Sequence, residues 1–250
     1  HYEISTLQTT QDVASDDAII KKILEKKEYG VLAAVCFHVA IKGKKDDALS
    51  LFVAMHRAGL SVANIFDFIL MPTLKKISDT YAINKISYQE YHLARYSLIS
   101  AILQLPPSVI HRSYNNKTII CTSLGDDEHD IELMAMVTLL ETEGYTVLNL
   151  GPGMNAESVA QMMYRTKPFA VCIHLSAGTD TERLITNLVQ LQEAAKTTST
   201  KLVYRGQIFQ SKRVQTQIPD VHFCVTFSDF LALKQQENIL NVGKEKQETS

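Results

Sequence analysis

The chain has 250 residues, a formal net charge of −2 and an apolar fraction of 46%. This length leaves room for one large domain or two ordinary ones with a buried core, and the near-neutral charge argues against general attraction to nucleic acid. No apolar run approaches the roughly 20 residues that a membrane-spanning helix needs, and the polar first residues do not resemble a signal peptide. We therefore expect a soluble, cytoplasmic protein without a membrane partner.

The cysteines and the first residue add two expectations. The four cysteines lie singly inside apolar runs, with neither a close pair nor the spacing of a zinc site, so buried and reduced thiols are expected. His1 is not an initiator methionine, so we expect the chain to be a fragment of a longer protein or to carry a tag.

The first part of the sequence predicts helices only. Residues 1–15 are polar and are expected to form a flexible lead-in, whereas residues 16–105 carry apolar positions at helical spacing with short polar connections. Ser87 is predicted to cap the last helix, with Glu90 as its capping-box partner, and Pro72 marks a helix start or a kink. The predicted structure is a bundle of four or five helices.

The second part of the sequence alternates strands and helices. Residues 106–117, which include a proline pair, form the predicted linker, and residues 118–243 contain apolar strand-like runs spaced by helical patterns. This alternation is typical of a parallel, doubly wound sheet, so a Rossmann-like (flavodoxin-like) α/β domain is expected. Residues 244–250 are charged and are expected to form a disordered tail. The predicted strands are Thr118–Cys121, Thr146–Leu150, Ala170–Leu175, Leu202–Tyr204 and Phe223–Val225.

The segment Gly125-Asp126-Asp127-Glu128-His129 follows the first predicted strand and precedes a helix. A histidine there lies at the carboxyl end of a parallel strand, where open α/β sheets bind their ligands. Asp127 can hydrogen-bond one imidazole nitrogen of His129 and leave the other nitrogen to bind a metal. A surface helix cap is the plainer alternative for this segment.

Several short motifs match a known family. Asp127-Glu128-His129 provides an Asp-x-His element, and residues 144–151 read Gly-Tyr-Thr-Val-Leu-Asn-Leu-Gly. Ser176 follows the third predicted strand, and Arg205-Gly206 follows the fourth. On these residues the chain resembles the cobalamin-binding modules of methionine synthase and of light-sensing, cobalamin-dependent transcriptional regulators. The resemblance covers most of the chain, from about Asp17 to Leu233.

The helical part carries a second match to the same family. The regulators have a tryptophan followed, about nine residues later, by Glu-His. Here Tyr81 stands for the tryptophan, Tyr91 for the glutamate and His92 for the histidine. A helical bundle followed by the Rossmann-like domain is the arrangement that the resemblance implies.

The resemblance also implies roles for individual residues. His129 would bind cobalt from the lower face in place of the cofactor's own base, with Asp127 orienting it. His92, a second candidate metal ligand, would close the upper face together with the rings of Tyr81 and Tyr91. The other cofactor-binding positions implied by the resemblance are Glu132, Gly151, Ser176, Arg205 and Gly206.

Two positions depart from the family's pattern. Glu132 and Arg205 replace glycines that let the backbone approach the cofactor's nucleotide tail closely, so their side chains would narrow that groove, or would close it by pairing with each other. A tetrapyrrole without a nucleotide tail is therefore an alternative to adenosylcobalamin or methylcobalamin. Haem or biliverdin would serve, with His129 and His92 on opposite faces of a six-coordinate iron in the haem case.

The leading functional hypothesis is a sensory module rather than an enzyme. A photoreceptor of this kind would couple light, or the state of the upper ligand, to domain packing or to oligomerisation. The protein could therefore form a homo-oligomer. It would bind DNA only through a transcription-regulating domain that is absent from this chain. The enzyme-class alternative is a corrinoid carrier that delivers methyl groups to methyltransferases.

Overall fold

The computed structural model describes residues 16–109, 113–124, 130–175, 181–206, 216–218 and 221–232. The predicted lead-in at residues 1–15 and the predicted tail at residues 244–250 lie outside these ranges. The described residues fall into two compact units, the first drawn from residues 16–116 and 130–147 and the second from residues 117–124 and 148–232.

Residues 16–105 of the first unit are helical, as predicted, and the unit also includes a helix that the sequence assigned to the second part. Its helices are α1 (Asp17–Glu25), α2 (Tyr29–Ile41), α3 (Lys45–Arg57), α4 (Val62–Ile65), α5 (Met71–Ala82), α6 (Tyr88–Gln104) and α7 (Asp130–Thr142). A π-helical turn, Phe66–Leu70, joins α4 to α5, and a short 3-10 helix, Pro106–Ser108, follows α6.

The predicted capping box at the start of α6 is confirmed. The hydroxyl of Ser87 accepts a hydrogen bond from the Glu90 N–H over 3.2 Å, and the Glu90 carboxylate accepts from the Ser87 N–H over 2.7 Å. Two backbone donors that a helix start leaves without intrahelical partners are thereby satisfied. This cap fixes where α6 begins, and α6 carries two of the predicted site residues.

Pro72 is accommodated by the π-helical turn. Proline has no N–H with which to continue the α-helical ladder, and its ring crowds the preceding turn. The N–H of Met71 instead bonds the carbonyl of Phe66, five residues earlier. The helix therefore widens by one residue and continues. The irregularity predicted at Pro72, a helix start or a kink, is a π-helical turn in the structure.

Buried apolar residues hold the first unit together. Helix α2 buries seven of its side chains and is apolar on nearly all sides, as expected for a helix at the centre of a bundle. Helix α7 belongs to the same unit, where the hydroxyl of Thr138 donates to the carbonyl of Ile102 in α6 over 3.2 Å.

The described strands form one five-stranded sheet. The strands are β1 (Thr118–Ser123), β2 (Thr146–Asn149), β3 (Ala170–His174), β4 (Lys201–Arg205) and β5 (His222–Cys224), with α8 (Ala156–Thr166) before β3 and α9 (Thr181–Thr198) after it. Their order is β2-β1-β3-β4-β5, and β1, β3, β4 and β5 pair in parallel. This topology confirms the prediction of a helical part followed by a Rossmann-like α/β part.

Side chains alternate between the two faces of the sheet along each strand. One face packs against α8 and α9 through a buried cluster that includes Ile120, Ile173 and Tyr204. On β3, the alternate positions that face the other way include Cys172 and His174. Within the described ranges, every helix is too short or too polar to span a lipid bilayer.

Candidate functional site

Four polar side chains line up at the carboxyl ends of the strands. Ser123, His174, Arg205 and Cys224 are successive Cα partners from β1 through β3 and β4 to β5. In a sheet of this strand order, ligands bind at the carboxyl edge, beside the point between β1 and β3 where the strand order reverses. Ser123 and His174 flank that point, so this row of four residues is the candidate ligand-binding edge.

His174 and Arg205 are in direct contact within this row. Nη1 of Arg205 lies 3.2 Å from Nδ1 of His174, and both residues are only 3% exposed. A guanidinium carries donors and no acceptor, so Nδ1 accepts and the neutral imidazole carries its proton on Nε2. The guanidinium carbon also lies 3.8 Å from the centre of the Phe227 ring, a cation–π contact that orients its plane.

Asp229 supplies a negative charge that acts on Arg205. Its carboxylate accepts from the N–H groups of Val225 and Thr226 over 2.8 and 2.7 Å, and its own N–H donates to the Thr226 hydroxyl, at the start of a helix that begins at residue 227. Burial disfavours the charged carboxylate, but these hydrogen bonds and the Arg205 charge outweigh it and hold the pKa of Asp229 below its ordinary value.

Gly206 is required by a close backbone approach. Its φ is +139°, and a Cβ atom at this position would collide with the carbonyl oxygen of Leu175. The Leu175 N–H donates to the Arg205 carbonyl over 3.0 Å, and the Gly206 N–H donates to the Cys224 carbonyl over 3.3 Å. The backbone just beyond β3 is therefore held against the end of β4, next to the His174–Arg205 contact.

The loop that follows β2 is anchored to the end of β1. The Thr122 hydroxyl donates to the Gly151 carbonyl over 2.8 Å, and the Gly153 N–H donates to the Ser123 hydroxyl over 3.2 Å. Gly151 and Gly153 have φ values of +77° and +79°, which glycine adopts at little cost. These bonds bring the predicted site residue Gly151 to the same edge as Ser123.

A second group of candidate residues lies in the first unit. The rings of Tyr81 and Tyr91 stack with centroids 4.6 Å apart at an interplanar angle of 28°. His92 meets Tyr88 edge-on at 4.2 Å and Tyr91 edge-on at 5.4 Å. We call Tyr81, Tyr88, Tyr91 and His92 the tyrosine–histidine cluster.

This cluster presents both an aromatic surface and an imidazole. Tyr81 and Tyr91 are half-buried, whereas His92 is exposed and Tyr88 is 61% exposed. The guanidinium carbon of Arg95, one turn along α6 from Tyr91, lies 5.6 Å from the centre of the Tyr91 ring. Half-buried rings keep a fixed orientation while leaving an edge or face available, which suits contact with a flat, largely apolar ligand.

The predicted site residues divide into four groups. Tyr81, Tyr91 and His92 come together in the tyrosine–histidine cluster, and Arg205, Gly206 and Gly151 lie at the carboxyl edge of the sheet. Glu132 is half-buried on α7 in the first unit. The predicted residues Asp127, His129 and Ser176 lie outside the described residues.

Sequence reasoning did not assign a role to His174 or to Tyr88. The signal for His174 was present, because this histidine ends an otherwise apolar strand, Ala170 to Ile173, at the ligand-binding edge. Tyr88 lies one helical turn before His92, the spacing at which side chains on a helix meet. Among the residues that the structure describes, no three His, Cys, Asp or Glu side chains gather closely enough to hold a metal ion by themselves.

Comparisons with known proteins identify the fold. No protein-family model and no curated protein sequence matches the chain. Among solved structures, the chain is similar to the monomethylamine corrinoid protein of Methanosarcina barkeri, with a TM-score of 0.61 and 19% identity over 80% of this chain and 95% of that chain.

Two further structures are similar at lower TM-scores. A cobalamin-binding protein from Desulfitobacterium hafniense gives 0.43, with 17% identity over 88% of this chain and 98% of that chain. The methanol:cobalamin methyltransferase complex of Methanosarcina barkeri gives 0.42, with 18% identity over 84% of this chain and 80% of that chain. The similarity to the monomethylamine corrinoid protein shows that the chain has the fold of a corrinoid protein. The predicted resemblance to cobalamin-binding modules is therefore confirmed at the level of the fold.

Proposed function

We propose that this chain binds a corrinoid, cobalamin in its adenosyl or methyl form. The observation that carries the proposal is the tyrosine–histidine cluster, in which a stacked tyrosine pair stands beside an exposed imidazole on a chain with a corrinoid-protein fold. Stacked rings offer the flat apolar surface that a corrin ring requires, and an imidazole is a good ligand for cobalt.

The residues at the sheet edge fit the same kind of ligand. At Gly206 the absence of a side chain lets the backbone pack against the Leu175 carbonyl, and the loop at Gly151 is tied to Ser123 beside the point where the strand order reverses. These contacts hold the backbone of the edge in place, and a pre-organised backbone would lower the cost of binding.

In the proposed site, each residue has a separate task. His129 would bind cobalt through an imidazole nitrogen, and Asp127 would orient it through the other nitrogen. Tyr81 and Tyr91 pack against a face of the corrin ring and exclude water from it, and His92 stands beside them as a second imidazole. When bound, the corrinoid supplies a cobalt–carbon bond that light or a methyl acceptor can break.

Of the functions available to such a module, we propose a sensory one. A cluster of three tyrosines is bulky. To uncover the face of the corrin ring against which it packs, the helices that carry it, α5 and α6, would have to move. A change of upper ligand would then alter the packing of this cluster, and the cluster would act as the two-state element that the ligand biases.

A methyl-carrier role is the second candidate. It is favoured by the similarity in fold to the monomethylamine corrinoid protein. A carrier must expose the upper face of its corrinoid to a partner enzyme, whereas a sensor changes conformation without one. The two candidates therefore differ in what happens to the isolated, loaded protein.

The test is a set of absorbance spectra of the full chain incubated in the dark with adenosylcobalamin, methylcobalamin, haem or biliverdin, desalted, and then illuminated. Retention of a corrinoid supports the proposal, and retention of haem or biliverdin with loss of cobalamin contradicts it. His129→Ala is expected to change the spectrum of the retained corrinoid, whereas the exposed His222→Ala on β5 is the matched control.

Hydrodynamic size before and after illumination separates the two candidate roles. A sensor changes its size or its proteolysis pattern when illuminated alone. A carrier shows no such change, and its bound methyl group is removed only after a methyltransferase is added.

A further inference from the structure

The His174–Arg205 contact has no task in the proposed function so far. Both residues are almost fully buried, they are Cα partners on neighbouring strands, and both lie at the edge where α/β sheets bind ligands. A buried arginine is rare unless its charge is paired or used, so the contact calls for a physical explanation.

The geometry leaves His174 in one chemical state. Because Arg205 donates to Nδ1, protonating that nitrogen would place two donors against each other 3.2 Å apart in a buried setting. The imidazole is therefore neutral and carries its proton on Nε2. The adjacent guanidinium charge polarises the ring and makes that Nε2–H a stronger donor to an anionic oxygen.

The pair is also held rigidly. The guanidinium rests on the Phe227 ring, and the backbone bond from Leu175 to Arg205 fixes the strand ends on which both side chains stand. Asp229 supplies a balancing negative charge near Arg205, so the arrangement is electrostatically tolerable before any ligand binds. A rigid, balanced donor pair of this kind is suited to recognition.

We propose that His174 and Arg205 form a recognition pair for a phosphate group, in which Arg205 holds the imidazole and His174 donates from Nε2 to a phosphate oxygen. His174 is the contact residue and Arg205 is the positioning residue. The phosphate belongs either to a corrinoid that carries one or to a free phosphate compound, and only the first source rests on the proposed function.

The test compares cobinamide with cobinamide phosphate, which differ only in the phosphate group, and titrates inorganic phosphate separately. Binding to the full chain is measured by calorimetry, and the tautomer of His174 is read from nitrogen-15 spectra of the imidazole. We expect the Nε2–H tautomer, and a preference of about tenfold or more for the phosphate-bearing corrinoid, the size of one charge-assisted hydrogen bond.

Variants assign that preference to the pair. His174→Phe and Arg205→Met are expected to abolish it, whereas His222→Gln on β5 and Arg165→Met on α8, both exposed, are expected to keep it. Arg205→Met is also expected to let His174 populate the other tautomer. The comparison on the unaltered protein stands even where a variant fails to fold.

Each outcome is decisive. A preference for cobinamide phosphate that the variants lose supports the pair with a corrinoid source. If inorganic phosphate shifts the His174 Nε2 signal while the two corrinoids bind equally, the pair is supported with a free phosphate compound as its ligand. If inorganic phosphate shifts the signal and neither corrinoid binds, the pair is again supported, and only the proposed corrinoid function fails. No response to any phosphate, or an Nδ1–H tautomer, overturns the pair.

Discussion

A Cβ atom on Gly206 would collide with the carbonyl oxygen of Leu175, so the backbone beyond β3 and the end of β4 can approach only because this residue is glycine. Gly206→Ala combines this collision with a φ of +139° that L-residues rarely adopt. We expect a loss of about 3 kcal/mol in the free energy of unfolding, measured from urea denaturation midpoints.

Gly151→Ala is the matched control for this substitution. Gly151 also has a positive φ, +77°, but nothing lies within 4 Å of a Cβ atom added there. Only the backbone strain remains, so the expected loss is about 1 kcal/mol. Equal losses for the two variants would show that the collision with Leu175 is relieved without cost.

The anchor between β1 and the loop after β2 can be tested at Ser123. Ser123→Ala removes the acceptor of the Gly153 N–H. We expect a loss of about 1 kcal/mol and faster hydrogen exchange at the Gly153 amide. Asn149→Ala, which removes an exposed bond to the Gly151 N–H, is expected to cost less. Unchanged exchange at Gly153 after Ser123→Ala would contradict the anchoring role.

The predicted architecture rested on local signals that tertiary packing did not override. The alternation of apolar runs with helical patterns predicted the strands and helices of the sheet region, and Ser87 with Glu90 predicted the start of α6 through a purely local pair of hydrogen bonds. The sequence predicted an irregularity at Pro72 but not that it is a π-helical turn. A proline in a helical pattern is compatible with a kink, a helix start or a widened turn.

The candidate site was predicted less completely. Tyr81, Tyr91 and His92 are near one another because α5 and α6 are sequential helices, so motif spacing was sufficient to group them. The contact of His174 with Arg205 joins residues 31 positions apart in the chain, and it depends on strand register. Register follows from pairing across the sheet, which a single sequence does not display.

Two capped carboxylates are expected to give a pH-dependent stability. Hydrogen bonds from the Ser87 backbone and hydroxyl lower the pKa of Glu90. At Asp229, burial raises the pKa, but the hydrogen bonds from Thr226 and Val225 and the charge of Arg205 outweigh it and lower the pKa. For a lowered folded-state pKa, the stabilisation is present above the unfolded value and is lost as the pH falls through the folded value.

The corresponding measurement is the urea midpoint of Glu90→Gln and Asp229→Asn between about pH 7 and pH 3, a range that spans the ordinary carboxyl pKa values. Both variants are expected to be less stable than the unaltered protein at neutral pH, and the difference is expected to shrink below about pH 4. Glu28→Gln, an exposed change outside both caps, is expected to show neither effect. A difference that grew towards acid pH would have the wrong sign for this mechanism.

The tyrosine–histidine cluster gives the sharpest test of corrinoid contact in the first unit. Tyr91→Leu removes the ring that stacks on Tyr81 and meets His92 edge-on, whereas Tyr96→Leu changes a 69% exposed tyrosine on the same helix. An aromatic contact contributes about 0.5–1.5 kcal/mol beyond its buried area, so the dissociation constant for cobalamin is expected to rise about three- to tenfold for Tyr91→Leu and to stay unchanged for Tyr96→Leu. Equal affinities for both variants would place the corrin ring away from this cluster, because a ring packed on Tyr91 must lose that contact when the tyrosine is replaced.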